Sequence, residues 1–385
     1  MREGSPPVDA AGDDDGSALL LEPHPDLRVA SILAAASSWQ WDAFALEAAT
    51  GGRPLSTLAA HLIRGAGLVP ALGLNAVALG RWLVAIEAGY GDNPFHNRVH
   101  AADVLQTMHV VLTRGGLLEV LQRDPLVHLA ALLGVSNDFL VATSDELALT
   151  YNDVSPQENM HASAALKLLL QERYDFLAAV PPAASRRLRR LLIKAVLATD
   201  MKQHFSLMAA FQALLAELAR HGPALLPRSQ ELVLQVALKF ADVGHLMAHW
   251  DVHREWVGLL EEEMYRQGDR ERALGLPVSP LMDRAQPGAA WSQAGFLTVV
   301  VLPLLHAWTT LLPAAGPLLY AAMSNRAQWE GEAIAAKAKA KAEALEAELG
   351  AAAAAAGAPG PAAAGGAKEG ACGAPRKHAA PAGAR

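Results

Sequence analysis

The chain has 385 residues and a single cysteine, Cys372, so no disulfide closes within it and nothing supports an oxidising compartment. It also lacks a basic excess. The formal net charge is −7, with no lysine- or arginine-rich stripe of the kind nucleic-acid binding needs. The first residues, Met1-Arg2-Glu3 and then Asp13-Asp14-Asp15, have neither the basic start nor the apolar centre of a signal peptide. The most membrane-like stretch, 294–305, contains Pro303 and falls short of the roughly 20 apolar residues of a bilayer span, which favours a buried core helix. These absences point to a cytoplasmic protein with no transmembrane segment and no nucleic-acid partner. They leave the oligomeric state open.

Aromatic residues make up only 5% and are concentrated between Trp39 and Trp329, where a core has to be built. Over 27–329 apolar residues recur at helical spacing, as in Leu79, Trp82, Leu83 and Ile86, and no long β-branched alternation bounded by turns interrupts them. The expected fold is all-α, one compact multi-helix domain over residues 26–330. Residues 1–25, rich in Gly, Pro and Asp, read as a disordered leader. Residues 331–349, alanine with interspersed lysine and glutamate, read as a solvated helix with no wide apolar face. Residues 350–385 form an Ala/Gly/Pro low-complexity tail expected to be disordered.

Three clusters carry polar groups that chemistry needs. In Asn93-Pro94-Phe95-His96-Asn97-Arg98-Val99-His100, a helical conformation places His96 and His100 at i and i+4 on one face; surface or capping histidines after Pro94 are the plain alternative. In Phe240-Ala241-Asp242 an aspartate closes an apolar helix over 232–241. A carboxylate there needs a donor, a cation or a metal, or it is a helix-terminal cap. Ala198-Thr199-Asp200-Met201 has the same form and the same two readings.

The order of motifs along the chain decides more than any one of them. Trp41-Asp42-Ala43-Phe44, the 93–104 cluster, Gly134-Val135-Ser136-Asn137, Tyr151-Asn152-Asp153, Glu158-Asn159, Leu197-Ala198-Thr199-Asp200-Met201, Ala241-Asp242, Gln267-Gly268-Asp269-Arg270-Glu271-Arg272, Ser279-Pro280-Leu281-Met282-Asp283 and Ser292-Gln293-Ala294-Gly295-Phe296 follow one another as in class I 3′,5′-cyclic nucleotide phosphodiesterases. The chain resembles the catalytic domain of that family, an HD-like helical fold, over residues 38–330. The resemblance implies hydrolysis of cAMP, cGMP or both to 5′-monophosphates in signal transduction. It implies His96 as general acid on the departing 3′ oxygen, and His100 and Asp242 as ligands of a tightly held zinc. Glu158 and Asp200 match acids that hold metal-bound water, beside a looser magnesium or manganese ion. Two such cations would acidify a bridging water and neutralise phosphoryl charge. Gln293 matches the amide that reads the purine edge and Phe296 the ring that stacks on the base.

One block departs from the pattern. Where the family carries a His-Asp-x-Asp-His-Pro run, this chain reads Leu126-Val127-His128-Leu129-Ala130-Ala131-Leu132-Leu133-Gly134-Val135-Ser136-Asn137, so about eight to ten residues are absent. The family uses that run for a second histidine on the first metal and for the carboxylate bridging both. Two assignable ligands, His100 and Asp242, are fewer than the three or four of a stable zinc site. His128 is a poor substitute, because the lost residues correspond to roughly 15 Å of helix; it is expected to point to solvent or to a carbonyl. A loss confined to one block, with motifs intact on both sides, has the form of a missed exon. Smaller departures are Phe95, where the family often has tyrosine, and His245, where some members have asparagine.

The sequence therefore leads to a metal-dependent cyclic nucleotide hydrolase whose activity is in doubt for this exact chain. The rivals are a catalytically silent helical module that binds nucleotide or a partner protein, and a helical interaction protein whose pocket is merely core. His96, His100, Asp200, Asp242 and Gln293 are expected to converge on one pocket, with Gln293 and Phe296 facing it from a helix beginning near Ala289. The shortened helix is expected to leave a void or a repacked region.

Overall fold

Short polar side chains and prolines set the helix starts. Asp26, Asp42, Asn75 and Asn97 stand at N-caps and accept the first free N–H groups of the helices they precede, while Pro54, Pro125, Pro156 and Pro182 open four others, where a missing N–H costs nothing. The computed structural model describes residues 22–135, 149–152, 154–286 and 288–356. Most of the expected leader, the tail beyond 356, and Ser136 and Asn137 lie outside the described residues.

No strand occurs among the described residues, and the domain is all-α as expected. The helices are α1 Leu27–Ala34, α2 Ala43–Thr50, α3 Pro54–Gly65, α4 Leu68–Leu72, α5 Ala76–Ala88, α6 Arg98–Thr113, α7 Leu117–Val120 and α8 Pro125–Val135. They continue as α9 Pro156–Leu168, α10 Pro182–Leu197, α11 His204–His221, α12 Gln230–Asp242, α13 Trp250–Ala273, α14 Ala289–Phe296, α15 Leu302–Leu311 and α16 Gly316–Ala356.

Buried on most of its faces, α6 packs against α3, α8 and α12, and α10 closes over α8 and α12. Glu87 ties the early helices together from within: its carboxylate accepts the N–H groups of Leu55 and Ser56, capping α3 from α5. Around Trp308 the rings of Phe211 and Phe240 lie at 5.9 and 5.3 Å. Each of those buried phenylalanines is worth roughly 1.5–3 kcal/mol of transfer free energy.

Two sequence expectations about helix length are corrected. The stretch 294–305 belongs to a continuous 22-residue helix, Ala290–Leu311, long and apolar enough by length and composition to cross a membrane, with 39% of its most apolar window buried. Pro303 fails to end it because Pro303 follows the wide turn Leu297–Val301 and sits in the first turn of α15, where it removes no needed donor. Its inward face, including Leu297, Val301, Leu305 and Trp308, lies in the core. The lysine-rich helix, for its part, neither starts at 331 nor stops at 349. It runs unbroken from Gly316 to Ala356, because the alanines after Gly350 have the highest helix propensity of any residue.

The chain divides between Ala333 and Ile334 into two units. In the second, every residue from 334 to 352 is exposed.

After α13 the chain doubles back along it. Gly268 makes this possible: a Cβ there would stand 1.9 Å from the Met282 carbonyl oxygen. Arg272–Asp283, Arg284–Asp269 and Arg284–Glu262 ion pairs at 2.8, 3.0 and 2.8 Å then hold the returning segment down. The polar motifs at 267–272 and 279–283 are thereby accounted for as the two sides of one strap.

Candidate functional site

His96 precedes α6 and is not part of it. Asn97 caps the helix with extended backbone, its side chain accepting from Val99 and His100, so the i, i+4 arrangement does not form. The cap turns the chain instead, and the two rings still meet, with centroids 5.8 Å apart. From α13, Glu263 fixes the turn. Its Oε1 lies 2.7 Å from His96 Nδ1, and its Oε2 accepts the N–H groups of Phe95 and His96 at 2.9 and 3.0 Å. Burial alone would raise the Glu263 pKa, but the imidazole and the two N–H groups outweigh it and hold the carboxyl at about 2.

His100, 1% exposed, has the Phe95 and Trp256 rings at 4.5 and 5.8 Å. Its Nε2 faces Asp242 Oδ1 at 3.5 Å. Burial keeps the imidazole below the usual histidine range, with Asp242 pulling it the other way. Asp242, the last residue of α12, is itself held below the usual carboxylate range; burial opposes this, and His100 and Lys239 bring it about.

Asp200 does act as a cap: its Oδ1 accepts the Lys202 N–H at 2.8 Å. Its other oxygen accepts the Ser155 hydroxyl at 2.7 Å. Glu158, in the first turn of α9, has its pKa raised by burial, with Asp200 and Asp242 adding to the shift. His96, Glu158, Asp200, Asp242 and Glu263 line one cavity of about 430 Å³, and His100 stands against it through Asp242.

Gln293 and Phe296 are not in that cavity. Both line a second one of about 640 Å³, with His245, Tyr265, Trp291 and Val299. Leu260 and Met264 belong to both linings, so the cavities adjoin across a shared wall. Of the five residues expected in one pocket, His96, Asp200 and Asp242 line the first cavity, Gln293 lines the second, and His100 lies buried behind Asp242.

Can these residues hold a metal? Neutral imidazole and ionised carboxylate are both suitable donors, and with bonds of about 2.1 Å two ligands of one tetrahedral ion lie about 3.4 Å apart, close to the 3.5 Å between His100 and Asp242. No group of three or more His, Cys, Asp or Glu placed to hold an ion occurs among the described residues. Among those residues the pair supplies two ligands of such a site.

His128 does not complete the set and does not point where the sequence reading placed it. It is 8% exposed and lines a separate cavity of about 440 Å³ with His61 and His109, its Nε2 buried without a hydrogen-bond partner. The apolar residues of α8, Leu126 to Leu133, are 0–5% exposed, so the core closes tightly over them.

Three participants were not singled out from sequence. Glu263 is one of three consecutive glutamates, 261–263, and nothing local distinguishes it. Ser155 reaches Asp200 from 45 positions away. Lys239 carried a readable signal: it is the one charged residue in the otherwise apolar run before Asp242, and it is buried.

A 3′5′-cyclic nucleotide phosphodiesterase family model matches residues 95–322. The dual specificity calcium/calmodulin-dependent 3′,5′-cyclic nucleotide phosphodiesterase 1B of Mus musculus is 36% identical over 281 residues, 70% of this chain and 51% of that protein. The corresponding Drosophila melanogaster phosphodiesterase 1 is 37% identical over 294 residues, 74% of this chain and 34% of that one. The chain thus spans about half the length, or less, of the curated relatives it matches. Among solved structures, the phosphodiesterase domain of the RhoPDE fusion protein from the choanoflagellate Salpingoeca rosetta superposes with a TM-score of 0.70 at 24% identity, covering 78% of this chain and 96% of that domain. That likeness establishes the fold.

Proposed function

Because the chain belongs to the 3′5′-cyclic nucleotide phosphodiesterase family, we propose that its two adjoining cavities form a cyclic nucleotide site, with the phosphate in the histidine- and acid-lined cavity and the purine in the apolar one. The observation that carries this reading is the shared Leu260–Met264 wall, which sets His96 on one side and Gln293 with Phe296 on the other. In it, His96 is the proton donor to the leaving 3′ oxygen, held in place by Glu263. Gln293 reads the purine edge and Phe296 stacks on the base.

Family membership suggests use of divalent metal, and His100 and Asp242 are the residues here that would ligate it, with Glu158 and Asp200 beside them. Among the described residues the set is two ligands, and we propose that this chain binds cyclic nucleotide in the cytoplasm but turns it over at no more than a trace rate. A longer form with a His-Asp segment would be the signal-terminating hydrolase, with zinc and magnesium or manganese.

The comparison that tests this is metal content and cAMP and cGMP turnover for this sequence against one with a His-Asp-containing segment inserted between Leu133 and Gly134. Restoration is expected to raise turnover by at least about a hundredfold, the scale on which one member of a catalytic constellation acts. Robust turnover with two bound metals in the short form would sink the two-ligand account. Retained binding without turnover in both forms would favour a silent module.

A further inference from the structure

Lys239 is 1% exposed. Its Nζ donates to the carbonyl oxygens of Ala198, Thr199 and Asp200 at 3.3, 2.9 and 3.1 Å. Three acceptors call for three N–H groups, and only the ammonium form has them. These carbonyls directly follow Leu197, the last residue of α10, where a helix leaves oxygens unpaired and carries partial negative charge. A cation at a helix end is common. What lies beyond those carbonyls is not.

Beyond them stands the acidic wall of the first cavity. Burial lowers the Lys239 pKa, and Asp242, Asp200 and Glu158 oppose that shift by favouring its charged form. With Glu263, the cavity is lined by four carboxyl groups and by no lysine or arginine. His96 is occupied by Glu263. A cyclic phosphate diester carries one negative charge, and this lining repels it unless a cation is near. A divalent metal would serve, but no group of three ligands for one occurs among the described residues.

We propose that Lys239 is the resident cation of this cavity, a positioning residue that holds Asp200 from behind and offsets the carboxylate wall so that a cyclic phosphate enters without a divalent ion. This rests on the reading of the paired cavities as a nucleotide site. A purely structural Lys239 would only join α12 to the end of α10 and would treat charged and uncharged ligands alike.

Calorimetric titration of the full chain with cAMP and with uncharged adenosine, in EDTA, separates the two roles. Wild type is expected to bind both. Lys239→Met, which keeps the length of the side chain, is expected to weaken cAMP at least about tenfold, equivalent to roughly 1.4 kcal/mol, and to leave adenosine within about twofold. Should Lys239→Met fail to fold, Glu158→Gln in the wild-type background removes one repelling charge and is expected to tighten cAMP severalfold, again sparing adenosine. Equal effects on both ligands, or none on cAMP, would overturn the proposal. So would cAMP binding that requires added Mg²⁺, although the nucleotide reading would then stand. If wild type binds neither ligand, both the reading and the inference fall.

Discussion

The two cavities share a wall and are built in opposite ways. The first gathers side chains from 96 to 282, and its acids are fixed by partners brought from distant elements: Glu263 by the turn at His96, Asp200 by Ser155, Asp242 by His100. The second is drawn entirely from 245–299, a stretch of α13, its returning strap and α14, with apolar side chains on most of its surface. The first cavity therefore depends on elements far apart in the chain, and the second on one continuous stretch. On the proposed reading, a change at a distant element would disturb the phosphate side and spare the base side.

The strongest way to break that separation is to remove Trp256, the buried ring packed against His100 and His245. Trp256 is fully buried and lies 5.5, 5.8 and 6.4 Å from the rings of Phe95, His100 and His245. Trp256→Ala is expected to cost about 3–5 kcal/mol in urea unfolding and to abolish binding at both cavities. A loss below about 1 kcal/mol would mean that the surrounding rings relax into the space and that neither cavity depends on Trp256.

Phe296→Ala sharpens the contrast by touching one side only. Its expected effect is a loss of about 1–3 kcal/mol in purine binding, with the thermal midpoint almost unmoved because the ring is only half-buried. A midpoint that falls in step with affinity would make Phe296 ordinary core.

Gln293→Ala should act in the same cavity more weakly, by about 0.5–1.5 kcal/mol, and should lessen discrimination between adenine and guanine nucleotides. Unchanged affinity for both would remove Gln293 from the site.

The smallest expected effect belongs to the other side. Glu263 has its carboxyl lowered from 4.5 to about 2 in the folded chain, so its contribution to stability is complete above about pH 4.5 and is lost as pH falls toward 2. Unfolding midpoints measured across that window should fall less steeply for Glu263→Gln than for wild type. Parallel curves would show that Glu263 is not the group titrating.

Much of this arrangement was legible in the chain. Helical spacing and the ordered motifs led to an all-α domain, and Asp200 and Asp242 at helix ends were visible as acids in need of partners. The partners themselves were not. Glu263 and Ser155 act across 167 and 45 positions, and separations of that size leave no local trace. Whether His96 stands on a helix stayed open in the sequence, because His-x-x-x-His spacing looks helical whether or not Asn97 takes the capping position. The division of one expected pocket into two could not be read either, since it depends on Leu260 and Met264, two apolar residues with nothing in their surroundings to mark them as a partition.

Gly268 sets where that partition's neighbour lies. Because an added methyl group would collide with the Met282 carbonyl, the strap after α13 has a single seat, and Met282 at its turn is part of the first cavity's lining. The width of that cavity is thus gauged by a missing carbon atom on the neighbouring helix. Any lineage that replaces that hydrogen must lift the strap, part the Arg272–Asp283 and Arg284–Asp269 pairs, and so widen the cavity while leaving its histidine and its acids unchanged.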